Sequence, residues 1–425
     1  MKLKSIKQIT KFFTWVAVLI LIVSVAGAAE EVDYLVPGYT AEELAEVREW
    51  EKKWVGKKVD KTNVDQVAEF LPESYVGIYK NPDKWGAPPE GLFFNIGANR
   101  PVAATPGMIE STKKYSKLVE TDKDGTIINY KELAGFPFPN PKTGRELAYN
   151  KEFNTDGDGD HNRQYSPTIN PKKRTDRFAD SENWNLHYVQ RCDVEPKPAL
   201  PDNIKGYRKG QFMHMYLPPE MLNTRMFTMR FIDAKKQDDQ YLYYAQYRRI
   251  RRMSTSEREN SIDGTDMIYD DANQWDGHYS RNTYKYVGRK DMLSARHQRS
   301  DEVVRKPGQA IPNEITLERC NLYVVEVQSK NPNYIYKKRI WYLDPESFYI
   351  MWQDMYDKQD RFWKTFMLLT SDYKTEQGHM RSMISGQVLQ DFQRNHSGYS
   401  SYKRLETGAN ISTNMFSMSN LQKTY

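Results

Sequence analysis

Hydrophobic and polar positions follow two regimes along this chain, and the change comes near residue 210. Before it, two stretches carry a helical signal. In "TAEELAEVREWEKKW" (residues 40–54) Thr40 stands as an N-cap, acidic residues fill the first turn and lysines the last, which predicts an α-helix. "NVDQVAEFL" (63–71) predicts a second, shorter one. From Pro72 to about residue 210 the chain is rich in Pro, Gly, Asn and Asp, with only short apolar pieces. Within it, the prolines of "LAGFPFPNPKTGRELAYN" (133–150) suit neither a helix interior nor a central strand. The expectation is a loop-dominated region, or an extended wrap over something else.

Beyond residue 210, runs of Tyr, Val, Ile, Phe and Trp divided by turn residues predict strands. They fall at 210–217, 225–232, 240–253, 283–293, 314–328, 334–343, 348–356, 361–369 and 386–395. "DPES" (344–347) and "DKQD" (357–360) have the length and chemistry of hairpin turns. Successive strands with short connections predict a mainly β (α+β) chain built on an antiparallel meander, as a sandwich or a barrel-like sheet. Side chains alternate across a strand. In 348–356, Phe348, Ile350 and Trp352 share one side while Tyr349, Met351 and Met355 take the other; 361–369 is likewise apolar on both sides. A sheet with one solvated face shows polar residues at every second position instead. The pattern leaves three arrangements open: a covered outer face, a lined inner cavity, or core packing on both sides. Tyr243, Trp341, Phe348, Ile350, Trp352 and Phe366 are the candidate cavity residues, with the inner face left undecided.

The N-terminus adds a compartment. Lys2, Lys4, Lys7 and Lys11 precede an apolar run from Phe12 to Ala26, closed by Ala26-Gly27-Ala28-Ala29 before Glu30. That is the pattern of a cleaved secretory signal peptide over 1–29, and the run is shorter than the roughly 20 residues a spanning helix wants. It predicts export to the periplasm, with association at the outer membrane as a further expectation. The predicted division is a signal peptide (1–29), a helical start with loop-rich wrap (30–209) and a β-domain (210–425). Cleavage removes four lysines from 62 basic residues, leaving 58 against 56 acidic ones, a net charge of +2. A near-neutral exported chain argues against a nucleic-acid partner, which wants a clearly basic domain. Two cysteines in an oxidising compartment, Cys192 and Cys320, form one candidate disulfide.

Candidate chemistry is sparse. Asn154, Asp156, Asp158 and Gly159 resemble the first half of a calcium loop, but the twelfth position is Tyr165 rather than glutamate, which favours a solvated acidic turn. The seven histidines show no paired metal spacing, and there is no nucleophile elbow or phosphate-binding glycine loop. No catalytic residue, metal or cofactor is expected, and an enzyme is the remotest reading. The conspicuous feature is "YAQYRRIRRMSTSE" (244–257), with Arg248, Arg249, Arg251 and Arg252, followed by Asp263, Asp266, Asp270 and Asp271. Arginine pairs bidentately with carboxylates, so the simplest expectation is that the two clusters meet in an ion-pair network closing the end of a strand. An acidic partner or lipid headgroup is the alternative.

The stretch "YAQYRRIRRMSTSERENSIDGTDMIYDD" resembles a segment of outer-membrane lipoprotein-sorting-protein homologues. "RIWYLDPESFYIMWQDMYDKQDRFWKTF" (339–366) is similar to a later segment of the same group. "AGFPFPNPKTGRELAYN" (134–150) and "NPNYIYKKRIWYLD" (331–344) resemble an uncharacterised periplasmic family of Gram-negative bacteria in the LolA/LolB-like superfamily. The resemblance runs from about residue 100 to the C-terminus. It implies an incomplete antiparallel β-barrel or curved sheet around an apolar cavity with helices as a lid. It also implies a carrier of a lipid, lipoprotein acyl chain or other hydrophobic molecule, with a resistance-nodulation-division-type exporter or an outer-membrane protein as partner. The sorting proteins are about half this length, so the first 200 residues are an extension and hydrophobic-ligand carriage is the safer expectation. The competing reading is a non-enzymatic envelope protein that docks on a transporter through residues 72–210.

Overall fold

The computed structural model describes residues 39–170, 172, 175–254, 258–262, 265–303, 306 and 308–423. The expected signal peptide and Asp263 lie outside the described residues. Among the described residues, five α-helices run α1 (Ala41–Trp54), α2 (Glu73–Lys80), α3 (Pro106–Tyr115), α4 (Gly144–Phe153) and α5 (Met418–Gln422). No helix of the described residues is long and apolar enough to cross a membrane. The strands are β1 (Lys58–Val59), β2 (Phe94–Gly97), β3 (Gly159–Ile169), β4 (Thr175–His187) and β5 (Tyr207–Leu217). Then follow β6 (Arg225–Phe231), β7 (Asp239–Tyr244), β8 (Arg249–Met253), β9 (Asn282–Ser294) and β10 (Ile315–Ser329). The last are β11 (Lys338–Leu343), β12 (Ile350–Tyr356), β13 (Phe362–Lys374), β14 (Met380–Asp391) and β15 (His396–Thr407).

All of these strands join one open 15-stranded sheet in the order β1-β2-β10-β11-β12-β13-β14-β15-β3-β4-β5-β6-β7-β8, with β9 also on β10. Pairing is antiparallel except where β2 meets β10. The sheet does not close. One edge is β1, two residues long, and the other is the arginine-rich β8.

Local chemistry explains the punctuation. Thr40 and Glu43 form a reciprocal capping box at the start of α1, the backbone N–H of each donating to the other's side-chain oxygen. Asp344 closes the β11–β12 hairpin by accepting from the backbone N–H groups of Glu346 and Ser347 at 2.9 and 2.8 Å, and Asp357 does the same for Gln359 and Arg361 after β12.

Two expectations need correction here. Residues 159–187 are not part of a wrap: β3 and β4 sit between β15 and β5 in the interior of the sheet. Their cavity-facing positions are polar and Pro167 interrupts the alternation, so the sequence pattern does not mark them as strands. Pro167 is accommodated where the ladder to β15 skips from Gly398↔Thr168 to Ser401↔Tyr165. The run 240–253 is likewise not one strand. It turns at 245–248, with Arg248 at φ 49°, and returns as β8.

The half of the sheet from β9 to β13 is covered on both sides. On one side, Trp54, Tyr75, Ile78 and Tyr79 from α1 and α2 pack with Leu317, Leu322, Trp352 and Met367. On the other, Leu147 and Ala148 of α4 pack with Trp275, Val325, Trp341, Phe348 and Ile350. Two-sided core packing therefore accounts for strands that are apolar on both faces. A bulge also changes their parity: Tyr342 pairs with Trp352 but Leu343 with Ile350, leaving Met351 as the extra residue. Ile350 and Trp352, which plain alternation puts on one side, enter opposite clusters.

Candidate functional site

The other half of the sheet holds the cavity. Strands β15, β3, β4, β5, β6 and β7 present alternate residues to a hollow of about 280 Å³, covered in part by a strap formed by residues 258–262 and 265–276, whose Tyr269–Gln274 stretch is 3-10 helix kinked at Ala272 and Asn273. Pairing register lays its floor in rows. One runs Asn162, Asn183, Met213, Met226 and Leu242. A neighbouring row runs Asp160, Asn185, Gln211, Thr228 and Gln240. Met215, Met221 and Met267 add further thioethers, and Phe366 and Leu389 complete an apolar wall. One side of the hollow is thus flexible and sulfur-rich, suited to adapting to an apolar guest. The other is lined by amides and hydroxyls, including Gln164, Ser166, Ser181 and Ser400.

The opposite faces of the same strands carry a second row: His161, Trp184, Phe212, Phe227, Tyr241 and Arg252. His161 stacks on Trp184 with ring centroids 4.6 Å apart, and Phe227 lies 5.2 Å from Tyr241. The C-terminal segment covers the middle of this row with Phe416 and Leu421.

The acidic cluster downstream of the arginines fastens the strap. Asp271 pairs with Arg339 at 2.7 Å and accepts from the Tyr336 hydroxyl at 2.9 Å. Asp270 accepts from the Tyr334 hydroxyl and pairs with Arg258, at 2.9 and 2.8 Å. Asp266 pairs with Arg394 at 2.9 Å and with His396, while Lys364 donates to its backbone carbonyl at 2.6 Å. At the strap's far end Asp276 meets Lys209, Arg230 and Arg258 at 2.5, 3.0 and 3.1 Å. Burial pushes the Asp276 carboxyl up, but Arg230, Lys209 and Arg258 overcome it and hold the group well below the usual carboxylate range. Burial in turn lowers the Lys209 ammonium to about 8 against the pull of Asp276.

The expected meeting of RRIRR with Asp266, Asp270 and Asp271 is therefore overturned, while Asp263, the fourth expected partner, lies outside the described residues. Arg248, Arg249, Arg251 and Arg252 are exposed on the edge hairpin, where Arg252 pairs with Asp239 at 2.9 Å. Asp266, Asp270 and Asp271 take Arg258, Arg339 and Arg394 instead. Chain reversal at 245–248 sets the arginines on the outermost strand, where charge discourages edge-to-edge pairing, while the aspartates lie inward over the cavity.

Of the six candidate cavity residues, Phe366 lines the hollow. Trp341, Phe348 and Ile350 sit in the packed cluster beneath α4, and Trp352 in the one beneath α1 and α2. Tyr243 lies on the aromatic face of β7, opposite the cavity-facing Gln240, Leu242 and Tyr244. The cysteine pairing is also corrected: both are free and buried, Cys192 beside Met108 and Ala134 and Cys320 beneath the N-terminal helices. Asp158, read as part of a possible calcium loop, accepts from the backbone N–H groups of Cys192, Asp193 and Val194 at 2.8, 2.5 and 2.9 Å. It orders a turn. The residues the sequence reading missed are the inward ones of β3 and β4. Their signal was present as Asn162, Gln164, Ser166 and Thr168, alternating with His161, Arg163, Tyr165 and Pro167.

No curated protein is significantly similar in sequence to the chain. Among solved structures, a putative outer membrane lipoprotein-sorting protein domain from Vibrio parahaemolyticus aligns at 14% identity, TM-score 0.47, over 66% of this chain and 98% of its own. A DUF1329 family protein from Desulfovibrio piger aligns at 14% identity, TM-score 0.47, over 65% and 97%. The LolA superfamily protein NE2245 from Nitrosomonas europaea aligns at 10% identity, TM-score 0.41, over 66% and 100%. One family, described as protein of unknown function (DUF1329), matches residues 58–422, and the chain belongs to it.

Proposed function

We propose that this protein is a carrier or binding protein of the bacterial envelope, working in the periplasm, that holds a single-chain amphiphile in the strap-covered cavity. The observation that supports the reading is the set of five methionines, Met213, Met215, Met221, Met226 and Met267, that lines a hollow of about 280 Å³ together with Phe366 and Leu389. That volume lies just below the usual range of ligand pockets, roughly 300–1,000 Å³. It suits one alkyl chain better than the several chains of a lipoprotein anchor. Each buried methylene contributes about 0.8 kcal/mol, so burial alone supplies affinity without covalent chemistry. Mass spectrometry of extracts from gently purified protein should show a retained amphiphile, and stripped protein should take up a fluorescent fatty acid. Protein that is clean as isolated and also refuses the probe removes this reading.

A further inference from the structure

Where the cavity meets the start of β3, it adjoins a side chamber of about 30 Å³, room for one small polar group. Asp156, Asp160, His187, Lys209 and Tyr402 line it, and it shares Asn162, Asn185, Gln211, Asn273 and Tyr402 with the main hollow, so the two adjoin. Register assembles it: Asp160 pairs across Asn185, which pairs across Gln211, and His187 faces Lys209. Asp160 Oδ1 is held by the side-chain amides of Asn162 and Asn185 at 2.6 and 3.1 Å. His187 is only 7% exposed, yet its Nδ1 has no hydrogen-bond partner. A buried polar atom left unpaired costs about 1–3 kcal/mol, so this one points to a guest.

The chamber's charges select that guest. Two carboxylates, Asp156 and Asp160, face the space, and the Lys209 ammonium is already paired with Asp276 at 2.5 Å. An anionic head therefore meets Asp156 and Asp160, and the cation that lines the chamber, Lys209, is already engaged by Asp276. Behind the chamber, Arg208, Arg191 and Arg381 place positive charge around His187 and disfavour a cationic head. Burial, with that positive charge, keeps the imidazole neutral. Burial and the neighbouring Asp156 also push Asp160 up to about 7, so near neutrality its carboxyl can either accept or donate.

Building on the carrier reading above, we infer that the chamber and the adjoining amide-lined wall receive an uncharged, hydroxyl-rich head group, a sugar or polyol, whose alkyl tail lies along the methionines. Hydroxyls both donate and accept, which matches carboxylate, imidazole, amide and phenol together. The test uses the full exported chain stripped of lipid and four probes sharing one tail: octyl β-D-glucoside, 1-octanol, octanoate and octylamine. Calorimetry should rank the glucoside first, at least tenfold tighter than octanol. In Asp160→Ala and in Gln211→Ala that preference should shrink to within threefold, with octanol binding unchanged. Octanol binding as well as the glucoside, or octanoate or octylamine binding best, overturns the head-group inference and leaves the carrier reading standing. If no probe binds, the carrier reading and this inference fall together. Should Asp160→Ala not fold, the probe ranking on the wild-type chain and the Gln211→Ala variant still decide.

Discussion

The two halves of this sheet are built from similar strands and do opposite things. From β9 to β13, Trp341, Trp352, Ile350 and Met351 fill both faces, and helices cover each side. From β15 through β3 to β7, one face is aromatic and packed while the other carries Asn, Gln, Ser, Thr and Met around an open hollow. The greater density of large apolar residues marks the solid half. A cavity forms where polar and thioether side chains take the inward positions, because they accept an incompletely filled interior at lower cost than Trp or Phe would. Hydrophobic strength along the chain thus locates the core rather than the binding site.

The sharpest way to break this comparison is Trp352→Ala. Trp352 is fully buried, its ring centroid is 4.6 Å from that of Tyr75, and its Nε1 donates to the Leu293 carbonyl at 2.9 Å. The expected loss is about 5 kcal/mol, the upper end for removing a packed Trp, read by denaturant unfolding; a near-neutral change with altered ligand uptake would put the cavity in the wrong half. Asp271→Asn leaves the buried Arg339 charge facing a neutral amide and should cost about 3 kcal/mol. It should also raise hydrogen exchange along 258–276, and unchanged strap protection would show that the ion pairs do not fasten it.

Met226→Trp, in the cavity floor, sharpens the contrast from the other side. Overpacking there should cost about 1–2 kcal/mol, while probe uptake falls at least tenfold. If uptake is unchanged, the guest lies elsewhere.

The pH dependence separates Asp160 from Asp276. Asp160 is raised from the usual 3.8 to about 7, chiefly by burial. The folded state then binds more protons than the unfolded one between about pH 4 and 7, and stability falls as pH rises through that window. Asp276 has the opposite sign: its carboxyl is depressed, so its stabilisation is present above the usual carboxylate range and is lost as pH falls. Asp160→Asn should therefore gain stability relative to wild type from pH 4 to 7, measured as Tm differences at matched pH; a constant difference would place Asp160 in ordinary solvent. The smallest effect is expected for Arg252→Ala on the edge hairpin. Its pair with Asp239 is exposed, and the change should stay within about 0.5 kcal/mol.

Much of the second half of the chain was legible, as was the first helix. The capped helix at 40–54, most strands beyond 210 and the hairpins at 344–347 and 357–360 follow from local rules that act within a few residues. The site was not. Phe366 was the single cavity candidate that reaches the hollow, because plain alternation could not register the bulge at Met351 or decide which face of β7 turns inward. Asn162 and Asn185 are inward and polar, which reads locally as loop, and Gln211 falls in the predicted strand at 210–217, whose alternation does not say which face is inward.

By itself, then, the sequence determined the element types after residue 210 and the turns that separate them, since propensity, capping and turn chemistry are local. Only the tertiary structure decided that β3 and β4 enter the sheet, that Asp266, Asp270 and Asp271 fasten a strap to Arg394, Arg258 and Arg339, and that the arginines of 248–252 stand on an edge. Those pairings join residues up to 128 apart, as Asp266 and Arg394 are. A carboxylate's partner is set by which strand the sheet order brings beneath it, and sequence proximity carries little of that information.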